Sequence, residues 1–230
     1  MSSDRTLPPA AAWIVVFAAV LAHLPALASY FAQDDWGFLA RAAGFEAVPA
    51  WPLRPWSTVV TWRIAWPLFG LQAAAYHGIA LLLLAVLAWL TARVGRALGL
   101  DPAGATVAGL VIAGSPLAIL PVAWASATAE LWGAVFALAA LDRWLSGRGP
   151  LQPLLALLLG ALSLLSKENG LVLGPALALA LLWFGPEEPR TVRRGRWLLI
   201  ALLTVGAALV ALQVSRSFAH GENDPYAIGG

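Results

Sequence analysis

This sequence predicts an all-α, polytopic transmembrane bundle of about seven helices, and three observations predict it. Hydrophobic residues fill 60% of the 230 positions and charged residues 11%, against about 45–50% and 25% in soluble domains. The scarce charges cut the chain into uncharged runs, several near the roughly 20 residues that a helix needs to cross about 30 Å of hydrocarbon. The basic residues gather in alternate connections between those runs. A mean hydropathy of +0.79 excludes a disordered chain, a nucleic-acid module and a soluble enzyme core, since too little polar surface remains to cover the apolar atoms in water. The net charge of +2 calls for no anionic macromolecule. The absence of Cys excludes disulfides and thiol chemistry.

Taken in order, the first run gives a span at residues 11–31. Arg5 followed by that run and Ala26-Leu27-Ala28 also matches a secretory signal, but the run exceeds the usual apolar core of about 7–15 residues and reads as a span. A second span is placed at 71–91, in the uncharged stretch between Arg63 and Arg93. The stretch 102–141 is too long for one helix and contains Pro116 and Pro121, so a break at Pro121 gives spans at 103–120 and 124–142. The remaining spans fall at 150–166, at 169–185 and at 197–215. Residues 1–215 therefore read as one transmembrane domain with a large loop at 32–69. The polar stretch 216–230 reads as the start of a further outer loop or a truncated tail.

With the N-terminus in the cytoplasm, the inner connections hold Arg5, Arg93, Arg96, Arg143, Arg148, Arg190, Arg193, Arg194 and Arg196, nine of the 14 basic residues. An excess of basic residues inside is the usual orientation. The expected location is the inner (plasma) membrane, with the N-terminus inside and loop 32–69 outside.

Ionisable residues beside membrane spans are costly and point to function. Asp34 and Asp35 follow the first span directly. Adjacent carboxylates suit a division of labour in which one takes a proton and the other positions a hydroxyl or binds an ion, although a solvated helix end would look the same. Farther along the loop come Arg54 and five of the twelve tryptophans, at 36, 51, 56, 62 and 66. Interfacial anchoring accounts for most of these rings; an aromatic surface bearing Arg54 also suits a sugar face or a phosphate headgroup. Lys167, the one lysine, precedes Glu168-Asn169-Gly170 in a tight turn, where its ammonium can neutralise a phosphate and Glu168 can hold it. Glu130 falls in the first turns of the fourth span, where the helix dipole favours an acid. His77 and His23 lie within apolar runs and read as packing residues. No Walker loop, H-E-x-x-H or G-x-S-x-G occurs, so nucleotide hydrolysis and hydrolase chemistry have no support.

In this order the segments resemble the GT-C membrane glycosyltransferases, and within them the protein O-mannosyltransferase-like branch. The resemblance rests on Phe31-x-x-Asp34-Asp35; on Leu53-Arg54-Pro55-Trp56 with Tyr76-His77-Gly78 and Arg93-Val94-Gly95-Arg96; on Ser115-Pro116 with Trp124, Ser126 and Glu130; and on Leu164-Leu165-Ser166-Lys167-Glu168 before Gly174-Pro175. It departs at Ala118 and Leu120, where the family commonly has His and Glu, and in 79–85, which lacks a second His and an Asn. Family members usually continue with more helices beyond the point where this sequence stops.

The resemblance implies a GT-C-like fold and transfer of a mannose-like hexose from a polyprenyl-phosphate donor to a protein, lipid or glycan acceptor outside the membrane. It implies Asp34 as the base with Asp35 beside it, Lys167 and Arg54 on the lipid phosphate, and Glu130 or His77 as orienting groups. An obligatory metal is not implied, although Asp34 and Asp35 suit a divalent cation. The rival expectation is a non-catalytic or truncated relative that serves as a partner subunit or small transporter.

Overall fold

The computed structural model describes residues 6–48, 54–146 and 151–167, with scattered helical positions between 179 and 215. Every regular element among them is helical. The expected span at 169–185 falls outside the described residues except for residue 179, while 11 of the 19 positions of the span at 197–215 are described, all of them helical.

Helix α1 (Pro9–His23) opens with Pro at its first position, where the missing N–H would have had no partner. It continues as a 3₁₀ turn, Leu24–Ala28, that contains Pro25. The loop 32–69 is itself largely helical. It holds α2 (Asp35–Ala43), which ends at Gly44 with φ +84°, a π turn at Trp56–Val60 and α3 (Thr61–Phe69). Helix α4 (Ala73–Ala97) is 25 residues long, running six residues farther at its C-terminal end than the expected 71–91. Helix α5 (Pro102–Ala113) starts where the Asp101 carboxylate accepts the Gly104 N–H at 2.7 Å. Then come α6 (Ile119–Ala123), α7 (Thr128–Ser146) and α8 (Gln152–Ser166).

The division of 102–141 falls elsewhere than at Pro121. Helix α5 stops at Gly114, Ser115 caps the next turn by accepting the Leu117 N–H at 3.3 Å, and the axis bends by 45°. Pro121 is the third residue of α6, a position whose N–H has no helical partner in any case. A capped Gly-Ser step therefore ends the helix earlier than the proline does.

Among the described residues, two helices are long and apolar enough to cross a membrane, Pro9–Ala28 with 20 residues and Ala73–Ala97; the bent pair Pro102–Ala113 and Pro116–Ala123 makes a third if it counts as one span. Apolar helices of this kind mark a membrane-associated protein. Helix α8 has 15 residues, about 22 Å of length, and α7 carries Glu130, Asp142 and Arg143.

Helix α4 is central: α1 and α5 pack together against one part of it, α7 against another, and α8 packs on α7. Small residues line the contacts, with Ala19, Ala80, Ala88, Ala105 and Ala113 fully buried beside Val15 and Leu84. In lipid, helices associate through such close approach and not through water exclusion. The outward surface stays apolar, for example Trp13, Phe17 and Leu21 on α1 and Val107 and Val111 on α5.

Polar bonds collect at the two ends of the bundle. At one end Arg93 clasps Asp142 with Nε to Oδ1 at 3.1 Å and Nη2 to Oδ2 at 3.0 Å, its guanidinium 4.8 Å from the Trp89 ring centre. Arg96 there donates to the Thr6 and Leu100 carbonyls. At the other end lie Asp34, Asp35, Arg54, Glu130 and Lys167.

Gly109 tests the close packing, because a Cβ at that position would lie 2.9 Å from both the Ala88 carbonyl oxygen and a Val15 methyl. Gly109→Ala is expected to destabilise by about 1–3 kcal/mol, read as a lower thermal midpoint in detergent. Gly37→Ala, with nothing within 4 Å of the added carbon, serves as the silent control. Arg93→Met strands a carboxylate that is 2% exposed and is expected to cost about 2–4 kcal/mol, most of it recovered in Arg93→Met/Asp142→Leu, because a fully apolar replacement leaves no charge unpaired.

Candidate functional site

The two neighbouring aspartates have different surroundings. Asp35 begins α2 and is fully buried. Its Oδ2 accepts the Ala32 N–H at 3.0 Å and its Oδ1 accepts the Ser126 N–H at 2.7 Å. One carboxylate thereby fastens the segment after α1 to the turn that precedes α7. Charge-assisted bonds of this length are the strong ones, and Asp35 is a structural staple. Asp34, one residue earlier, is half-buried, and its carboxylate makes no hydrogen bond among the described residues. It is the carboxylate of the pair left without a hydrogen-bond partner among the described residues. Both Asp35 oxygens already receive N–H donors, so a divalent cation here would rest chiefly on Asp34; the described residues bring no group of three acidic or His side chains together.

Lys167 follows the last turn of α8 in extended backbone. Its Nζ lies 2.9 Å from Glu130 Oε1 in the first turn of α7. Sequence proximity had suggested Glu168 as its partner; Glu168 lies outside the described residues. The Lys167 and Glu130 side chains are 22% and 44% exposed, so this pair contributes only about 0–1 kcal/mol. Helices α7 and α8 do not depend on it, since the buried Ser163 hydroxyl donates to the Gly133 carbonyl at 2.8 Å.

Ser57 supplies a link that no local signal in the sequence announces. Its hydroxyl donates to the Ser166 carbonyl at 2.6 Å, beside Lys167, and lies 3.3 Å from the Arg54 carbonyl. The carbonyls of Arg54 and of Ser166, the residue before Lys167, thus converge on one side-chain oxygen. Arg54 itself has φ +55°, a left-handed conformation that costs a non-glycine residue about 1–2 kcal/mol. Strain of this kind persists where surrounding structure fixes it and recurs at binding sites. The Thr58 N–H and hydroxyl bonds to the same carbonyl, at 2.9 and 3.0 Å, help to hold it.

Beside Ser57 lies a small half-open cleft, whose lining includes none of Asp34, Arg54, Glu130 and Lys167. Trp62, Tyr76 and Trp132 give it aromatic walls, and Ser57, Thr61 and Thr128 add hydroxyls. Trp56 packs edge-on against Trp132 and Phe136, with ring centres 5.8 and 5.5 Å away. The buried indole N–H groups of Trp56 and Trp124 have no acceptor among the described residues.

His77 does not reach the cleft. It is fully buried on α4, and its Nδ1 donates to the Val122 carbonyl at 2.9 Å, which fastens α6 to α4. His23 does the same for α5, with Nε2 3.1 Å from the Ala113 carbonyl. Both histidines serve packing, as their apolar surroundings in the sequence suggest. Of the predicted site residues, the fold gathers Asp34, Asp35, Arg54, Glu130 and Lys167 at one end and leaves His77 as a bracket behind them.

Asp35→Asn replaces an acceptor oxygen by an amide that opposes a backbone N–H, so it is expected to lower stability by about 1–3 kcal/mol. Asp34→Asn is expected to stay within about 0.5 kcal/mol of the parent. Thermal unfolding followed by intrinsic tryptophan fluorescence separates the two. Compared with known protein families, curated proteins and solved structures, the chain matches none.

Proposed function

We propose that the protein is a membrane glycosyltransferase of the GT-C type, a hexosyltransferase that moves a mannose-like sugar from a polyprenyl-phosphate carrier to an acceptor hydroxyl on the extracytoplasmic side. The observation that carries this reading is the placement at one end of the bundle of an open carboxylate, Asp34, and two cations, Arg54 and Lys167, with the Arg54 carbonyl and the carbonyl preceding Lys167 both bonded by Ser57. A displacement of phosphate by a hydroxyl needs a base on one side and positive charge on the other. Asp34 takes the acceptor proton as the acceptor oxygen bonds to the anomeric carbon. The bond from that carbon to the phosphate oxygen breaks, and the polyprenyl phosphate leaves with its electron pair beside Lys167 and Arg54. Asp35 keeps the Asp34 backbone in register, and Glu130 orients Lys167.

The small cleft near this end is consistent with the same reading, because aromatic walls with interspersed hydroxyls suit the apolar face and polar rim of a sugar ring. In this assignment the Arg93 and Arg96 end faces the cytoplasm, the bundle belongs to the inner (plasma) membrane with the N-terminus inside, and the spans at 169–185 and 197–215 complete about seven crossings. The acceptor is a protein, a lipid or a glycan.

The decisive assay offers radiolabelled polyprenyl-phosphate hexoses to the full chain in lipid nanodiscs. Asp34→Asn is expected to reduce transfer by at least about a hundredfold, the usual share of a general base, with unchanged thermal stability. Transfer by Asp34→Asn at the parental rate rejects this mechanism, and no transfer by the parent with any donor favours a non-catalytic partner subunit.

A further inference from the structure

We infer that Glu130 is an internal stand-in for the phosphate: its carboxylate occupies the Lys167 ammonium when no ligand is bound and gives way when a phosphate group arrives. The inference rests on the phosphate-binding role assigned to Lys167 above and adds an intramolecular competitor to it. Three observations support it. First, the contact of 2.9 Å joins two partly exposed groups, and pairs of that kind are weak enough for a doubly charged phosphate to displace. Second, packing and the Ser163–Gly133 bond already hold α7 to α8, so an architectural need for the ion pair is lacking. Third, the anchor of the lysine is rigid while its side chain is long. The Lys167 N–H donates to the Ser163 carbonyl at 3.1 Å and the neighbouring Ser166 carbonyl is held by Ser57, leaving four methylenes to swing the ammonium from Glu130 toward the Arg54 side.

A carboxylate in this place also sets selectivity. The sugar-loaded donor is a phosphodiester with one negative charge and competes only weakly with the carboxylate, whereas the polyprenyl monophosphate that transfer leaves behind is a monoester dianion and displaces it more fully. Such a dianion occurs both as a lipid headgroup and as free phosphate, and the inference is that the site takes the group in either form, more tightly when a polyprenyl tail brings it in through the membrane.

The test measures binding to the full chain in nanodiscs, with polyprenyl monophosphate lacking any sugar in one arm and inorganic phosphate in the other. Glu130→Gln is expected to tighten polyprenyl monophosphate about three- to tenfold, and Glu130→Ala should behave alike. Lys167→Gln should weaken binding at least tenfold, and Glu130→Gln/Lys167→Gln should bind no better than Lys167→Gln. A parallel gain with inorganic phosphate assigns the effect to the phosphate group itself; a gain confined to the lipid arm places the selected ligand in the bilayer. Unchanged or weaker binding by Glu130→Gln, or parental binding by Lys167→Gln, overturns the inference, as does a failure of parent and variants to bind either probe. Because no sugar is transferred in this experiment, a gain on Glu130→Gln stands even if the transferase assay fails.

Discussion

The two N–H bonds that enter the Asp35 carboxylate, one from Ala32 and one from Ser126, are the constraint on which the Asp34 end of the bundle depends. They span 91 positions of sequence and join the segment leaving α1 to the turn that starts α7. A buried carboxylate without such donors would carry a desolvation cost of several kcal/mol. With them, the cost is offset and the geometry is fixed. Everything then follows in register: Asp34 is held at the surface one residue before the staple, Glu130 stands one turn into α7, and Lys167 comes within reach of it from α8. The same bonds divide the acidic pair into a structural and an available member.

Behind this end, the bundle is held by close approach of small side chains. Gly109 lets α5 meet both α1 and α4, and alanines supply half of the buried apolar residues among those described. Two buried histidines brace the bent α5–α6 segment by donating to carbonyls freed near the bend. Each histidine makes one such bond across the bundle, while the other ring nitrogen of His77, Nε2, is buried without a partner among the described residues.

Much of the fold class was legible in the sequence because it depends on composition and charge spacing, which are local. The helix at Ala73–Ala97 and the acid in the first turn of α7 followed from uncharged length and helix-dipole preference. What was not legible was long-range or conformational. Gly114 and Ser115 end α5 before Pro121 can, because a capped turn next to glycine costs less than a continued helix. The loop 32–69 hides α2 and α3, whose short amphipathic patterns resemble a tryptophan-rich anchor. Ser57 has no signature at all, since its importance comes from a carbonyl 109 positions away. Likewise the neighbour of Lys167 in sequence, Glu168, drew attention from Glu130, its neighbour in space.

The division of roles between the adjacent aspartates is the central claim, and chemical labelling tests it most directly. The folded protein in nanodiscs is treated with a water-soluble carbodiimide and a small amine, and amide formation at each carboxylate is read by peptide mass spectrometry. Asp34 is expected to label in the folded state, with Asp35 resisting until denaturant is added, because its two oxygens are buried and bonded. Labelling of Asp35 at the rate of Asp34 in the folded protein would contradict the account.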